Sequence, residues 1–186
     1  MTGENYSMII LAGGESRRMG TDKADLMYEG RTFLELQIEK GVRLGITDIL
    51  VSGYRGERCP LPVVADRIPD RGPLGGLEAS LRATKHEKCV VLSVDVPLVP
   101  LEELVQLLEC SAASPITILK NNGREQPLIG VYDRSLADEM LRELTESRGS
   151  VFAFINKTGY AVYESMAPAA VFANVNAPEQ YRSMLK

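Results

Sequence analysis

The chain has 186 residues, 45% hydrophobic and 25% charged, ordinary values for a single domain of residues 1–186 that buries its own core without staples. A net charge of −4 argues against a general nucleic-acid binder, whose footprint is a basic face, so positive charge for an anionic ligand has to be local. Three widely spaced cysteines and one histidine spell neither a zinc site nor a disulfide framework.

The stretch Met1 to Ser7 is polar and acidic, unlike a signal peptide, and no apolar run approaches the roughly 18 residues of a spanning helix. A soluble, cytoplasmic protein with no membrane and no nucleic acid among its partners is expected.

Met8 to Ala12 reads as a short buried strand that opens into Gly13 and Gly14, with Arg17, Arg18 and Lys23 following. Glycines accept positive φ and let backbone approach a ligand, and successive N–H groups in such a turn form an anion nest. The stretch Leu11 to Lys23, LAGGESRRMGTDK, therefore predicts a nucleotide or another polyphosphate at the carboxyl end of the first strand. It is not a P-loop, because Thr21 and Asp22 follow Gly20, nor a Rossmann fingerprint, because the glycines are adjacent. A tight turn beside a solvated basic face is the plain alternative.

Further along, Thr32 to Leu44 carries Phe33, Leu34, Leu36, Ile38 and Val42 in a helical pattern closed by Gly45. Asp48 to Ser52 is a second buried strand, Leu61 to Ala65 a short third ending at Asp66, and Leu74 to Thr84 a helix entered from a Gly- and Pro-rich loop. Cys89 to Val94 is the most apolar strand, with Cys89 a core thiol, and it stops at Asp95. Leu101 to Glu109 is an amphipathic helix. Strands that are continuous apolar runs and alternate with helices signal an α/β fold with a parallel sheet covered on both faces. Ligands of such sheets bind outside the carboxyl ends of the strands, where Leu11 to Lys23, Asp66 and Asp95 fall.

The second half is more mixed. Ile116 to Lys120 and Pro127 to Tyr132, joined through Asn121-Asn122-Gly123, suggest a hairpin. Ser135 to Thr145 is a helix with Ser135 as its cap, and Ser150 to Asn156 a short helix whose Phe152 and Phe154 belong to the core. Tyr160 to Tyr163 and Val171 to Asn174 read as strands, and Ala177 or Pro178 begins a last helix.

Four places carry candidate chemistry besides the glycine loop. A carboxylate directly after an apolar strand gains nothing from burial unless paired or metal-bound, so Asp95 is a candidate Mg²⁺ ligand, with a helix N-cap as the alternative. Asp66 either braces Arg67 or Arg71 or accepts hydrogen bonds from a base or ribose. The loop Arg71 to Gly76 is a second close-approach segment entering a helix. Asn174 and Asn176 can point two carboxamides to one side, or simply stabilise a turn. Arg124 to Pro127 lines an acceptor pocket or coats the hairpin. Neither a Ser-His-Asp set nor a Cys-His pair is present, and His86 sits in a charged loop.

These residues match a family. LAGGESRRMGTDKA resembles the L-A-G-G-x-x-R-R-M-G-x-x-K-A signature of molybdenum cofactor guanylyltransferases, the molybdopterin-guanine dinucleotide synthases. The likeness continues in order through Val63 to Asp66, Arg71 to Leu77, Ser93 to Leu98, Gln126 to Tyr132 and Phe172 to Glu179. It implies a Rossmann-like, three-layer nucleotidyltransferase fold with a mostly parallel central sheet. It also implies transfer of GMP from GTP to the molybdenum-molybdopterin cofactor, with Mg²⁺ as metal. Other molybdenum cofactor biosynthesis proteins and molybdoenzyme chaperones are the protein partners it suggests.

By carry-over Leu11, Ala12, Gly13, Gly14, Lys23, Asp66 and Asp95 meet GTP, Asp95 also binds the metal, and Arg17, Lys23 and Asp95 are the catalytic group. Asn174 and Asn176 fall in the acceptor region, and a polar contact after the second strand is Ser52 or Tyr54. The Gly13-Gly14 pair, where cytidylyltransferase relatives carry Ala-Gly, favours GTP over CTP. A CTP-using enzyme and a silent GTP-binding adaptor are the alternatives.

Overall fold

In a computed structural model the described residues are 3–13, 22–56, 59–147 and 149–185. The elements are β1 (Tyr6–Leu11), β2 (Met27–Tyr28), β3 (Arg31–Thr32), α1 (Phe33–Arg43), β4 (Asp48–Ser52), β5 (Val63–Val64), α2 (Gly72–Ala83) and β6 (Lys88–Ser93). They continue with α3 (Leu101–Cys110), β7 (Ile116–Asn121), β8 (Arg124–Asp133), α4 (Ala137–Glu146), α5 (Val151–Thr158), β9 (Ala161–Ser165) and α6 (Pro178–Met184).

Seven strands form one sheet in the order β5-β4-β1-β6-β8-β7-β9. The pairs β5–β4, β4–β1, β1–β6 and β7–β9 are parallel, and only β8 runs against its neighbours. β2 and β3 make a separate antiparallel ribbon. Alternation along β1 explains the layers. Met8 and Ile10 face α1 and α3 with Phe33, Leu34, Leu104 and Leu107, whereas Ile9 and Leu11 face α2, α4 and α5 with Leu74, Leu77, Met140 and Phe154. Both faces of the central strands are thus buried, which is why their sequences are unbroken apolar runs. This is the three-layer α/β architecture expected. No helix among the described residues is long and apolar enough to cross a membrane.

Local chemistry sets the helix ends. Thr32 and Glu35 form a reciprocal capping box on α1, and Ser150 caps α5 by accepting from the Ala153 amide. Five expectations are corrected. Ser135 is not a cap: it lies inside a 3-10 turn, Arg134–Leu136, that precedes α4. Residues 171–174 are not a strand, because a 3-10 turn, Ala169–Phe172, leads into an extended segment held by one backbone bond to the loop after β6. Val42 is exposed on the outer side of α1, and Phe152 is 43% exposed, while Phe154 is buried as expected. The third strand shrinks to Val63–Val64, with single backbone bonds from Val51 to Pro62 O and from Gly53 to Val64 O at its two ends.

Candidate functional site

β1, β4, β5 and β6 end at the same edge of the sheet, and single backbone bonds carry the pairing beyond the strands. The Ala12 amide donates to Ser52 O (2.9 Å), that of Gly53 to Val64 O (3.1 Å) and that of Val94 to Leu11 O (3.0 Å). Leu11 to Gly13, Ser52 to Tyr54, Asp66 and Asp95 therefore share one edge. Gly13 and Gly53 meet backbone to backbone there. Gly53 has φ +70°, and a Cβ on it would stand 2.7 Å from the Gly13 Cα. A Cβ on Gly13 would stand 3.2 Å from the Gly53 Cα, so the Gly13 cradle is shaped first by this close strand approach. Gly14, Arg17 and Arg18 lie outside the described residues.

One half of the edge surrounds Gly76 near the start of α2. A Cβ there would stand 2.5 Å from Ser52 Oγ, 3.4 Å from Asp66 Oδ1 and 3.7 Å from Leu11 Cδ2, so three sequence-nominated residues converge on a glycine. Arg67 donates to Glu78 Oε1 (2.9 Å) and Arg71 to Ser147 O (3.2 Å). The arginines that were to be braced by Asp66 thus bond elsewhere. Partial burial raises the Asp66 carboxyl above its ordinary value, Arg55 offsets part of this and Asp70 adds to it. Of the two polar candidates after the second strand, Ser52 Oγ faces this cradle, and the Tyr54 hydroxyl donates to Asp25 (2.8 Å).

The other half is built around Asp95. Its Oδ1 accepts from Ser93 Oγ (2.6 Å) and its Oδ2 stands 3.9 Å from Lys23 Nζ, which also donates to Asn176 Oδ1. The backbone carbonyl of Asp95 accepts from the Val175 amide (2.8 Å). Val175 is buried, so the Asn-Val-Asn segment is anchored at its centre with a carboxamide on either side. Asp95 is not a helix cap, since α3 begins after Pro100 with no side-chain cap. Ser93, Asp95 and Asn174 open onto a cavity of about 380 Å³ with Arg124, Gln126 and Phe152 on its other walls.

β8 shapes that wall: between Ile118 and Leu119 of β7 the register slips, leaving Pro127 to Ile129 without β7 partners while Ile129 still pairs with Leu92 of β6, and the buried Tyr132 hydroxyl donates to Pro127 O at 2.6 Å. Phe152 was expected in the core; its place after the Ser150 cap, one residue out of step with the buried Val151 and Phe154, is the signal that it faces outward.

The arrangement offers one carboxylate, one ammonium and two carboxamides, and among the described residues no cluster of three His, Cys, Asp or Glu could enclose a metal. Mg²⁺ keeps several waters and is held through one or two carboxylates plus substrate phosphates. Asp95, partly exposed and fixed by Ser93, suits that mode. Burial pushes the Cys89 thiol up to about 11, so it stays an inert core thiol.

The sequence profile of the MobA-like NTP transferase domain matches residues 8–181. A relative named probable molybdenum cofactor guanylyltransferase, from Carboxydothermus hydrogenoformans, is 30% identical over 98% of this chain and 96% of its own length. One of the same name from Bacillus velezensis is 32% identical over 95% and 93%. The crystal structure of molybdopterin-guanine dinucleotide biosynthesis protein A from Archaeoglobus fulgidus superposes with a TM-score of 0.78 at 24% identity, covering 96% of each chain.

Proposed function

Since the chain belongs to the MobA-like NTP transferase family of nucleotidyltransferases, we propose that it transfers GMP from GTP to molybdenum-bearing molybdopterin, releasing pyrophosphate and forming the guanine dinucleotide cofactor. The observation that carries this is the placement of Lys23, Asp95 and Asn176 in one cluster beside a cavity, at the edge where the strands carrying the glycine loop end. A phosphate oxygen of the acceptor forms the new bond to the α-phosphorus of GTP. The bond from that phosphorus to the bridging oxygen breaks, and its electron pair leaves with pyrophosphate.

No protein nucleophile is needed, and catalysis is positioning plus charge neutralisation. Lys23 supplies positive charge toward the departing phosphates, with Arg17 as its partner from the sequence signature. Asp95 holds Mg²⁺, which supplies Lewis-acid stabilisation of phosphate charge. Asn176 orients Lys23, and Asn174 with the Gln126 wall receives the acceptor. Asp66 accepts from the base or ribose beside Gly76, whose missing Cβ lets the Ser52 hydroxyl and the Asp66 carboxylate converge there.

The test is incubation with GTP or CTP, Mg²⁺ and molybdenum cofactor, with pyrophosphate and dinucleotide measured. GTP-dependent product is expected; product from CTP alone makes the chain a cytidylyltransferase, and GTP binding without turnover makes it an adaptor. Asp66 adds a pH test. Its folded value is raised, so the folded state holds the proton more tightly than the unfolded chain, and ionising it costs stability as pH rises through the raised value. Asp66→Asn is therefore expected to be neutral or slightly stabilising near pH 7. GTP affinity of the parent should fall on acidification above the ordinary aspartate value of about 3.9, and Asp66→Asn should weaken GTP binding and remove that acid limb. A variant that keeps both the affinity and the limb overturns the role of Asp66.

A further inference from the structure

Gln37 sits four residues after Phe33 and three after Leu34, so it occupies a core position of α1, and it is fully buried. A buried carboxamide has to be satisfied, and its partners are all in one place. Its Nε2 donates to Ser93 O (2.9 Å) and Val96 O (3.1 Å), and its Oε1 accepts from Lys40 Nζ (2.7 Å), one turn along the same face. Lys40 Nζ also donates to Pro97 O (2.6 Å). The amide has only one consistent orientation, because two carbonyls face one end and an amine faces the other. Three carbonyls of the turn 93–97 are thereby held toward α1, while its Asp95 carboxylate is met by Ser93 Oγ and Lys23 on the other side.

We propose that Gln37 and Lys40 are positioning residues for Asp95, a two-residue brace that fixes the turn carrying the carboxylate. The brace touches no atom of the reacting groups; it sets where the carboxylate stands when the phosphates arrive. Burial, with Arg31 nearby, pulls the Lys40 ammonium down to about 7, and a neutral amine still has two protons for its two acceptors, so the brace is complete in either state. The proposal rests on the nucleotidyl-transfer reading for its effect on rate, but the brace itself can be tested without turnover.

Lys40→Met keeps the apolar stem and removes the contacts to Gln37 Oε1 and Pro97 O. Gln37→Leu removes more and leaves orphaned carbonyls, so Lys40→Met is the deciding variant. Hydrogen exchange of the amides of Val94, Asp95, Val96, Leu98 and Val99 should quicken in Lys40→Met while those of β1 and β4 hold. With GTP and cofactor, kcat should fall about 10–100-fold, the scale of a misplaced catalytic group, with KM for GTP within about threefold, and half-maximal Mg²⁺ should shift upward. Unchanged exchange at 94–99, or kcat within twofold of the parent, overturns the brace. A parent without turnover refutes the transfer reading instead, and exchange then decides the brace alone.

Discussion

Asp95→Asn is expected to lower kcat by about 10³-fold, the scale of removing one preorganised electrostatic group from a water-poor site, while leaving the fold intact. The substitution is nearly isosteric, and an asparagine Oδ1 can still accept from Ser93 Oγ at the place where the carboxylate does. What it removes is the negative charge at Oδ2, 3.9 Å from Lys23 Nζ. Both side chains are about one-fifth exposed, so the pair contributes at most about 1 kcal/mol to stability. Thermal unfolding of the variant should therefore stay within a few degrees of the parent, with normal circular dichroism, and raising Mg²⁺ should not restore the rate. Activity near that of the parent would remove Asp95 from the chemistry.

Lys23→Ala comes second, with kcat/KM for GTP expected to fall about 10²–10³-fold. Among the described residues of the glycine-loop signature, Lys23 reaches both Asp95 and the Asn-Val-Asn segment. Its loss leaves Asp95 and Asn176 without the cation that aligns them, in a partly desolvated site where a missing positive charge opposite phosphates is costly. Lys23→Arg separates charge from shape. A planar guanidinium cannot take the place of a compact ammonium on both partners, so it should recover less than a tenth of the parent rate. Isothermal titration with GTP, alongside steady-state kinetics, tells lost binding from lost turnover. Full rescue by arginine would mean that Lys23 supplies only a diffuse field.

Much of this was legible in the chain. The buried runs Met8 to Ala12, Asp48 to Ser52 and Cys89 to Val94 announced central strands because both of their faces are covered. The helices expected from Thr32 and from Ser150 do start there, with the structure adding that both residues are caps, and Asp66 and Asp95 stand at the carboxyl edge where their positions after strands put them. Gln37 was readable in part, as a polar residue at a core position of an amphipathic helix, though pattern cannot name its partners. Ser135 misled because a Ser before a periodic run has the same local signature whether a cap or a 3-10 turn follows. The run at 171–174 misled because Val171 and Phe172 suit a strand by residue type, whereas they close a 3-10 turn and the chain becomes extended only from Ala173.

The stretch Leu11 to Lys23 and its neighbours at the sheet edge divide in the same way. Sequence by itself determined that two glycines and then basic residues follow the first strand, and that Asp66 and Asp95 follow later strands, because strand-end chemistry is written in adjacent residues. Tertiary structure decided the rest. It paired Gly13 with Gly53, turned Ser52 instead of Tyr54 toward Asp66, seated Lys23 between Asp95 and a residue 153 positions away, and set Gln37 and Lys40 beneath the Asp95 turn. Such contacts depend on strand order and on which helix packs behind which loop, and a one-dimensional pattern carries neither.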